Sequence, residues 1–197
     1  VILISDEIHC DLTDPGVNYN PFDADDNVIR CLSPSKSFNI AGFQSSIVHA
    51  TNSELLEKIK TQMHVDNSDA CNVFATSAVM AAYNESSEWL DELKDVLYKN
   101  KSIVRDYLAE ELPVVKLVES DANYLLWLDC SALGVSSKIL SEFLRSNQGL
   151  FLSAGCDFGK CGDNFLRMNI ACPEKLLDEG LRRLKAGIIS LNNIKSF

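Results

Sequence analysis

No apolar stretch in this 197-residue chain approaches the roughly 20 residues that a membrane-spanning helix needs. A membrane span is therefore excluded. Positive charge is also in short supply: 18 basic residues stand against 28 acidic ones, a formal charge of −10. Such a surface repels phosphate backbones, so nucleic acid is not an expected partner. The spacing C-x-x-C is missing, and His9, His49 and His64 stand far from the one close cysteine pair, Cys156 and Cys161. A zinc centre needs four converging ligands, so no metal is expected. Seven cysteines without a framework spacing read as the reduced thiols of a cytoplasmic protein, a Cys156–Cys161 disulfide being the alternative. Apolar residues are not lacking. At 46% hydrophobic and 23% charged, the composition is that of an ordinary globular chain and not of low-complexity disorder.

The chain opens on Val1-Ile2-Leu3-Ile4, followed by Ser5-Asp6-Glu7. These residues lack the basic flank and small-residue cleavage site of a secretory leader. They read as a strand buried on both faces, of the kind found inside a parallel sheet. Sheet neighbours from a preceding segment are therefore expected, and the chain reads as a piece of a longer protein. A turn-rich loop from Thr13 to Asn27 leads to apolar runs at Val28–Leu32 and Ser46–Ala50. Ser53 is placed to cap a helix presenting Leu55, Leu56, Ile59 and Met63. Ala70–Tyr83 reads as a second, mostly buried helix. Ser86–Leu112 keeps three-four apolar spacing for about seven turns, some 40 Å, before Pro113 stops it. A helix that long is suited to bridging two domains.

Beyond it, strands at Val114–Val118 and Tyr124–Asp129, a helix at Ser136–Asn147, a glycine-dotted loop and a strand at Phe165–Ala171 are expected. Pro173 opens a last helix with Leu176, Leu177, Leu181, Leu184 and Ile188 inward. Strands and helices alternate, which makes the class α/β.

Three residues invite chemistry. Asp6 follows the carboxyl end of a strand, where open α/β sheets place ligands; the alternative is a turn-capping carboxylate. Lys36 lies among hydroxyls in Ser33-Pro34-Ser35-Lys36-Ser37-Phe38-Asn39. In a partly desolvated cleft its amine could attack a carbonyl, whereas on an open surface it would be a solvated charge. Arg167 interrupts the apolar strand Phe165–Ala171. An inward arginine needs a partner: a substrate carboxylate suits its fork, and an internal ion pair is the other reading.

Spacing alone does not bring these residues together. The segments Ile4–His9, Ser33–Gly42, Asn123–Cys130 and Phe165–Pro173 together resemble the class I/II aminotransferase family, the fold-type I pyridoxal-phosphate enzymes. Within it they are most similar to the MalY/PatB-type cystathionine β-lyases (C–S lyases). The resemblance covers nearly the whole chain and corresponds to the C-terminal half of such an enzyme. It implies part of the large, mostly parallel sheet domain over residues 1–97, with the start of the interdomain helix, and an α+β small domain over residues 98–197. It implies pyridoxal 5′-phosphate as cofactor, an amino acid as substrate and a homodimer as assembly.

Carried over residue by residue, Lys36 matches the lysine that holds the cofactor and serves as base, and Asp6 the carboxylate facing the pyridine nitrogen. His9 matches the position that hydrogen-bonds the phenolic oxygen, the alternative being a plain loop histidine. Ser33 matches a phosphate-contacting hydroxyl, and Arg167 the arginine that clamps the substrate α-carboxylate. Gln44 departs from the pattern, since many aminotransferases place a phosphate-binding arginine there; an uncharged residue favours the lyase branch. The implied activity is cleavage of the Cβ–S bond of cystathionine or a cysteine-like amino acid, with transamination as the alternative. A third reading is a non-catalytic folding or dimerisation fragment. The phosphate loop, the ring-stacking aromatic and the asparagine at the phenolic oxygen belong to the other half of such an enzyme. Without that half, the first strands are expected to expose apolar surface and self-associate, while the small domain keeps a complete core.

Overall fold

The computed structural model describes residues 1–22 and 26–195. Residues 23–25 of the expected Thr13–Asn27 loop lie outside the described residues. The chain divides into two units, Val1–Lys94 and Asp95–Phe197.

The first unit is built on a three-stranded sheet in which β1 (Leu3–Asp6), β2 (Val28–Leu32) and β3 (Ile47–His49) lie in that order. β1 and β2 run parallel, Leu3 opposite Val28 and Asp6 opposite Cys31. β3 returns antiparallel, Leu32 opposite Ile47. β2 has the bounds its apolar run implies. β1 forms two residues later than expected and is not buried: Ile2 is 53% and Ile4 65% exposed. Burial of a strand depends on what pairs with it and covers it, and among the described residues only β2 pairs with β1.

Helix α1 (Ser53–Val65) is capped by Asn52, whose side-chain oxygen accepts from the Leu55 amide at 3.1 Å. Ser53 is thus the first helical residue and not the cap. The apolar face of α1, Leu55, Leu56, Ile59 and Met63, is half-buried. Helix α2 (Ala75–Glu85) starts later than its composition suggests, because Asn72 ends the preceding turn by accepting from the Phe74 amide. Only Ala75 and Ala82 of α2 are buried. Together with Leu12, Val28 and Ala50 they make up the buried apolar set of the unit among the described residues.

Helix α3 (Ser87–Glu111) contains the point where the two units divide. The second unit has an antiparallel sheet in the order β4 (Lys116–Val118), β5 (Leu125–Asp129), β7 (Phe165–Asn169), β6 (Ser153–Ala154). Strand β6, hidden in the glycine-dotted loop, is too short to leave a sequence pattern. Helices α4 (Ser137–Gln148) and α5 (Glu174–Lys195) complete the unit. A continuous core runs from Val104 and Leu108 through Leu128, Leu144 and Leu166 to Leu184 and Ile188. At roughly 1.5–3 kcal/mol per fully buried aliphatic side chain, such a core dominates the stability of the unit. Leu176 is the exception to the expected inward face, 61% exposed, since it falls beside the stripe set by Leu177, Leu181 and Leu184. Two polar residues of α3 are buried and satisfied. Asn100 Nδ2 donates to the carbonyls of Ile170 and Cys172, both at 2.9 Å, and Lys101 Nζ donates to that of Ser120 at 3.1 Å. All seven cysteines, Cys156 and Cys161 included, are free thiols. Among the described residues no helix is long and apolar enough to cross a membrane.

Candidate active site

Because β1 and β2 are parallel, the residues that follow them emerge at one edge of the sheet, the carboxyl edge at which open α/β sheets place ligands. Asp6 is the last residue of β1. Its side chain is exposed, and Oδ1 accepts from the Ile8 amide at 3.2 Å. The next five residues form a tight loop closed by two turn bonds, Cys10 amide to Glu7 carbonyl and Leu12 amide to His9 carbonyl, each 3.0 Å. Buried Leu12 anchors its end, and His9 is half-buried within it.

Glu7, beside Asp6, went unremarked in the sequence and is the most firmly held residue of this loop. Its carboxylate is 3% exposed and grips Arg30 of β2: Nε lies 3.0 and 2.9 Å from the two oxygens and Nη2 2.7 Å from Oε2. Ser5 Oγ donates to it as well, at 3.1 Å. Burial pushes the Glu7 carboxyl up, but the hydrogen bonds from Arg30 and Ser5 outweigh it and hold the group below the usual range. The signal was present in the sequence: Arg30 interrupts an apolar run just as Arg167 does, and a charge in such a run needs a partner.

The segment after β2 supplies Ser33 and Lys36. Ser33 is buried, donates from Oγ to the Ser45 carbonyl at 2.6 Å and accepts from the Ser35 amide at 3.1 Å. Lys36 rides on a turn closed by the Phe38 amide donating to the Pro34 carbonyl at 2.9 Å. The desolvated cleft expected around Lys36 is not what these residues build. Its side chain is exposed and makes no ion pair among the described residues, because the walls of a cleft are long-range features that a local run of hydroxyls does not create. Ser37, the next residue, is fully buried and donates to Asp11 Oδ2 at 2.9 Å. Gln44 ends a short 3-10 turn in the left-handed conformation, φ 50°, and is exposed. The structure thus brings Asp6, His9, Ser33 and Lys36 to one sheet edge of the first unit.

Arg167 belongs to the second unit. Leu166 and Met168, its neighbours on β7, are buried, so strand alternation turns Arg167 to the opposite face and not into the core. No carboxylate among the described residues pairs with it, so the internal ion pair does not form. Instead its guanidinium lies 4.3 Å from the centre of the Phe158 ring. Trp127, its register partner on β5, stacks on Phe165 with centroids 5.4 Å apart and meets Phe158 edge-on at 5.7 Å. Burial raises the nearby Tyr124 phenol, and the positive charge of Arg167 works against that shift. The loop that brings Phe158 to Arg167 depends on Gly155 and Gly162, where a Cβ on either residue would collide with the carbonyl oxygen of the other. With one face on an aromatic ring and no acidic partner among the described residues, the guanidinium has a fork edge of the geometry that suits a planar carboxylate.

The donor set of the first unit fits a phosphorylated pyridine aldehyde: an uncommitted amine, a strand-end carboxylate within reach of solvent, an imidazole between them in sequence, and a cluster of hydroxyls and amides at Ser33–Ser35.

Comparison with known proteins points the same way. The sequence model of the family described as aminotransferase class I and II matches residues 1–184. Cystathionine β-lyase PatB of Bacillus subtilis is 37% identical over 193 residues, covering 95% of this chain and 50% of that protein. The protein MalY of Escherichia coli is 29% identical over 196 residues, covering 96% of this chain and 48% of that protein. Among solved structures, cystalysin from Treponema denticola, which contains a pyridoxal 5′-phosphate cofactor, superposes with a TM-score of 0.92 at 32% identity, over 97% of this chain and 50% of that one. The chain therefore spans about half the length of the curated relatives it matches.

Proposed function

The chain belongs to the class I and II aminotransferase family, and from that premise we propose that it is part of a pyridoxal-phosphate-dependent C–S β-lyase. The reaction is cleavage of the Cβ–S bond of cystathionine or a cysteine-like amino acid, with water, to pyruvate, ammonia and a thiol. The observation that supports this reading is that the strand-end carboxylate Asp6 and the turn bearing Lys36 both follow the carboxyl ends of two neighbouring parallel strands. The relatives named cystathionine β-lyase favour the lyase branch, as does Gln44 in place of a phosphate-binding arginine.

Pyridoxal phosphate, when bound, supplies an electron sink for the pair of electrons left at Cα. Lys36 Nζ would hold the cofactor and, when its amine is free, would serve as the base for the proton on Cα. Asp6 would pair with the pyridine nitrogen and favour its protonated form. His9 would donate to the phenolic oxygen, and Ser33 with the adjoining amides would hold the phosphate. Arg167, in the second unit, would offer its fork to a substrate carboxylate while Phe158 supports the guanidinium face. A cytoplasmic homodimer is the proposed setting.

Transamination is the second reading, supported by the family's own description. It differs only in where Lys36 delivers the proton. As an isolated 197-residue polypeptide the chain acts as a folding or dimerisation module, which the exposed apolar side chains of Val1–Ile4 favour. In the full-length enzyme Lys36→Ala abolishes pyruvate release from cystathionine; turnover retained by that variant would sink the assignment. In the 197-residue chain, treatment with pyridoxal phosphate and borohydride leaves Lys36 mostly unlabelled, and stoichiometric labelling would contradict the view that the other half completes the cofactor site.

A further inference from the structure

One carboxylate stands between the two loops of the site and has no part in the reaction above. Asp11 closes the loop that begins at Asp6. Its Oδ2 accepts from the Ser37 hydroxyl at 2.9 Å and from the Tyr83 hydroxyl, on α2, at 3.4 Å. Ser37 has no exposure at all and follows Lys36 directly. Phe38, one residue further, meets Tyr83 edge-on at 5.4 Å and stacks on Trp89 at 5.9 Å. The turn is therefore gripped at the two residues immediately after Lys36 and left open at Lys36 itself. On the other side, the span from Asp6 to Asp11 is stiffened by the Glu7–Arg30 pair, two turn bonds and buried Leu12.

We propose that Asp11 is a positioning residue: through Ser37 it latches the loop carrying Asp6 and His9 to the turn carrying Lys36, and so sets the orientation and reactivity of the Lys36 amine. The proposal rests on the reading of Lys36 as the cofactor-holding lysine. Asp11 is suited to the part because it is half-buried, reaches both loops through one oxygen and has a hydroxyl donor from a third element to hold it in place. Burial, with the charge of Asp11 adding to it, pushes the Tyr83 phenol up to about 12, so Tyr83 remains a donor across the whole working pH range. Ser37 transmits the constraint because it adjoins Lys36 and its fully buried hydroxyl would be left unsatisfied without Asp11.

The test needs no cofactor. The 197-residue chain is labelled with trace acetic anhydride, and the acetylation rates of Lys36 and of exposed Lys138, in the other unit, are compared by peptide mass spectrometry. Asp11→Ala and Ser37→Ala each change the Lys36/Lys138 rate ratio by about two- to tenfold, the span one such hydrogen bond governs. The double variant changes it no further. Asp11→Asn, which keeps an oxygen for Ser37, restores the parental ratio. A ratio unmoved by Ser37→Ala, or two effects that add in the double variant, overturns the latch. Should Asp11→Ala fail to fold, Ser37→Ala against Asp11→Asn decides: a shift in the first without the second supports the latch, and any other pattern refutes it. Failure of the cofactor reading is separate, since it appears as absence of a pyridoxyl label on Lys36 in the full-length enzyme whatever the acetylation ratio does.

Discussion

Substituting Arg30 by Met probes the ion pair that fixes the start of the site. Arg30 sits on the central strand, opposite Ser5 of β1 and His49 of β3, and its partner Glu7 is 3% exposed. Met fills similar volume but leaves a buried carboxylate without its counter-charge, which costs about 3–5 kcal/mol. Against a typical domain stability of about 5–15 kcal/mol and a urea dependence of about 1–3 kcal/mol per molar, the midpoint of the first unit falls by roughly 2 M. Trp89 reports on this unit and Trp127 on the other, so a Trp127→Phe background makes fluorescence specific to it. The pH dependence has a definite sign. Glu7 titrates below its ordinary value in the folded parent, so its stabilisation is fully present above the unfolded value and disappears as pH falls through the folded one. In Arg30→Met the orphaned carboxyl is driven the other way and is neutralised on mild acidification, so the gap between parent and variant narrows as pH falls. Glu7→Gln in the same background recovers most of the loss. A single variant within about 0.5 kcal/mol of the parent at neutral pH, the scatter of ordinary surface changes, would refute the reasoning.

Leu166→Ala, at a position with no exposure, lowers the stability of the second unit by about 2–5 kcal/mol while the Trp89 transition stays in place; urea melts read at both tryptophans check this. Phe158→Ala removes the ring 4.3 Å from the Arg167 guanidinium, worth about 0.5–1 kcal/mol at a partly exposed site. It raises KM for the amino-acid substrate of the full-length enzyme severalfold more than it lowers kcat, and Phe158→Tyr restores the parental value. Ile4→Lys, on the 65% exposed side chain of β1, weakens self-association of the 197-residue chain about tenfold or more, the effect of withdrawing one aliphatic group of about 1.5–3 kcal/mol; sedimentation at several concentrations measures it.

What could be read in advance was what the chain determines locally. The run Val28–Leu32 became β2 without change of bounds, and the three-four spacing before Pro113 became α3 to within a residue of each end. Burial was less legible, because it depends on neighbours remote in sequence: β1 forms yet stays exposed, and Lys36 stands in the open. Arg167 lies on the face away from the core, since alternation along a strand assigns sides to apolar neighbours first and the charge takes the side that is left. Glu7 and Asp11 were missed because each looks like one more acid in an acidic chain, and only pairing across loops 23 and 26 residues apart gives them a role. The candidates Asp6, His9, Ser33 and Lys36 rest on their motifs, and their shared sheet edge follows from the parallel register of β1 and β2.

The proposed function depends most on Lys36 being the amine that takes up the cofactor. Reduction of the full-length enzyme with borohydride in the presence of pyridoxal phosphate, followed by peptide mapping, tests it directly. One pyridoxyl group per chain on the peptide containing Ser35-Lys36-Ser37 is the predicted result. A label carried by any other lysine, with Lys36 unmodified, would contradict it.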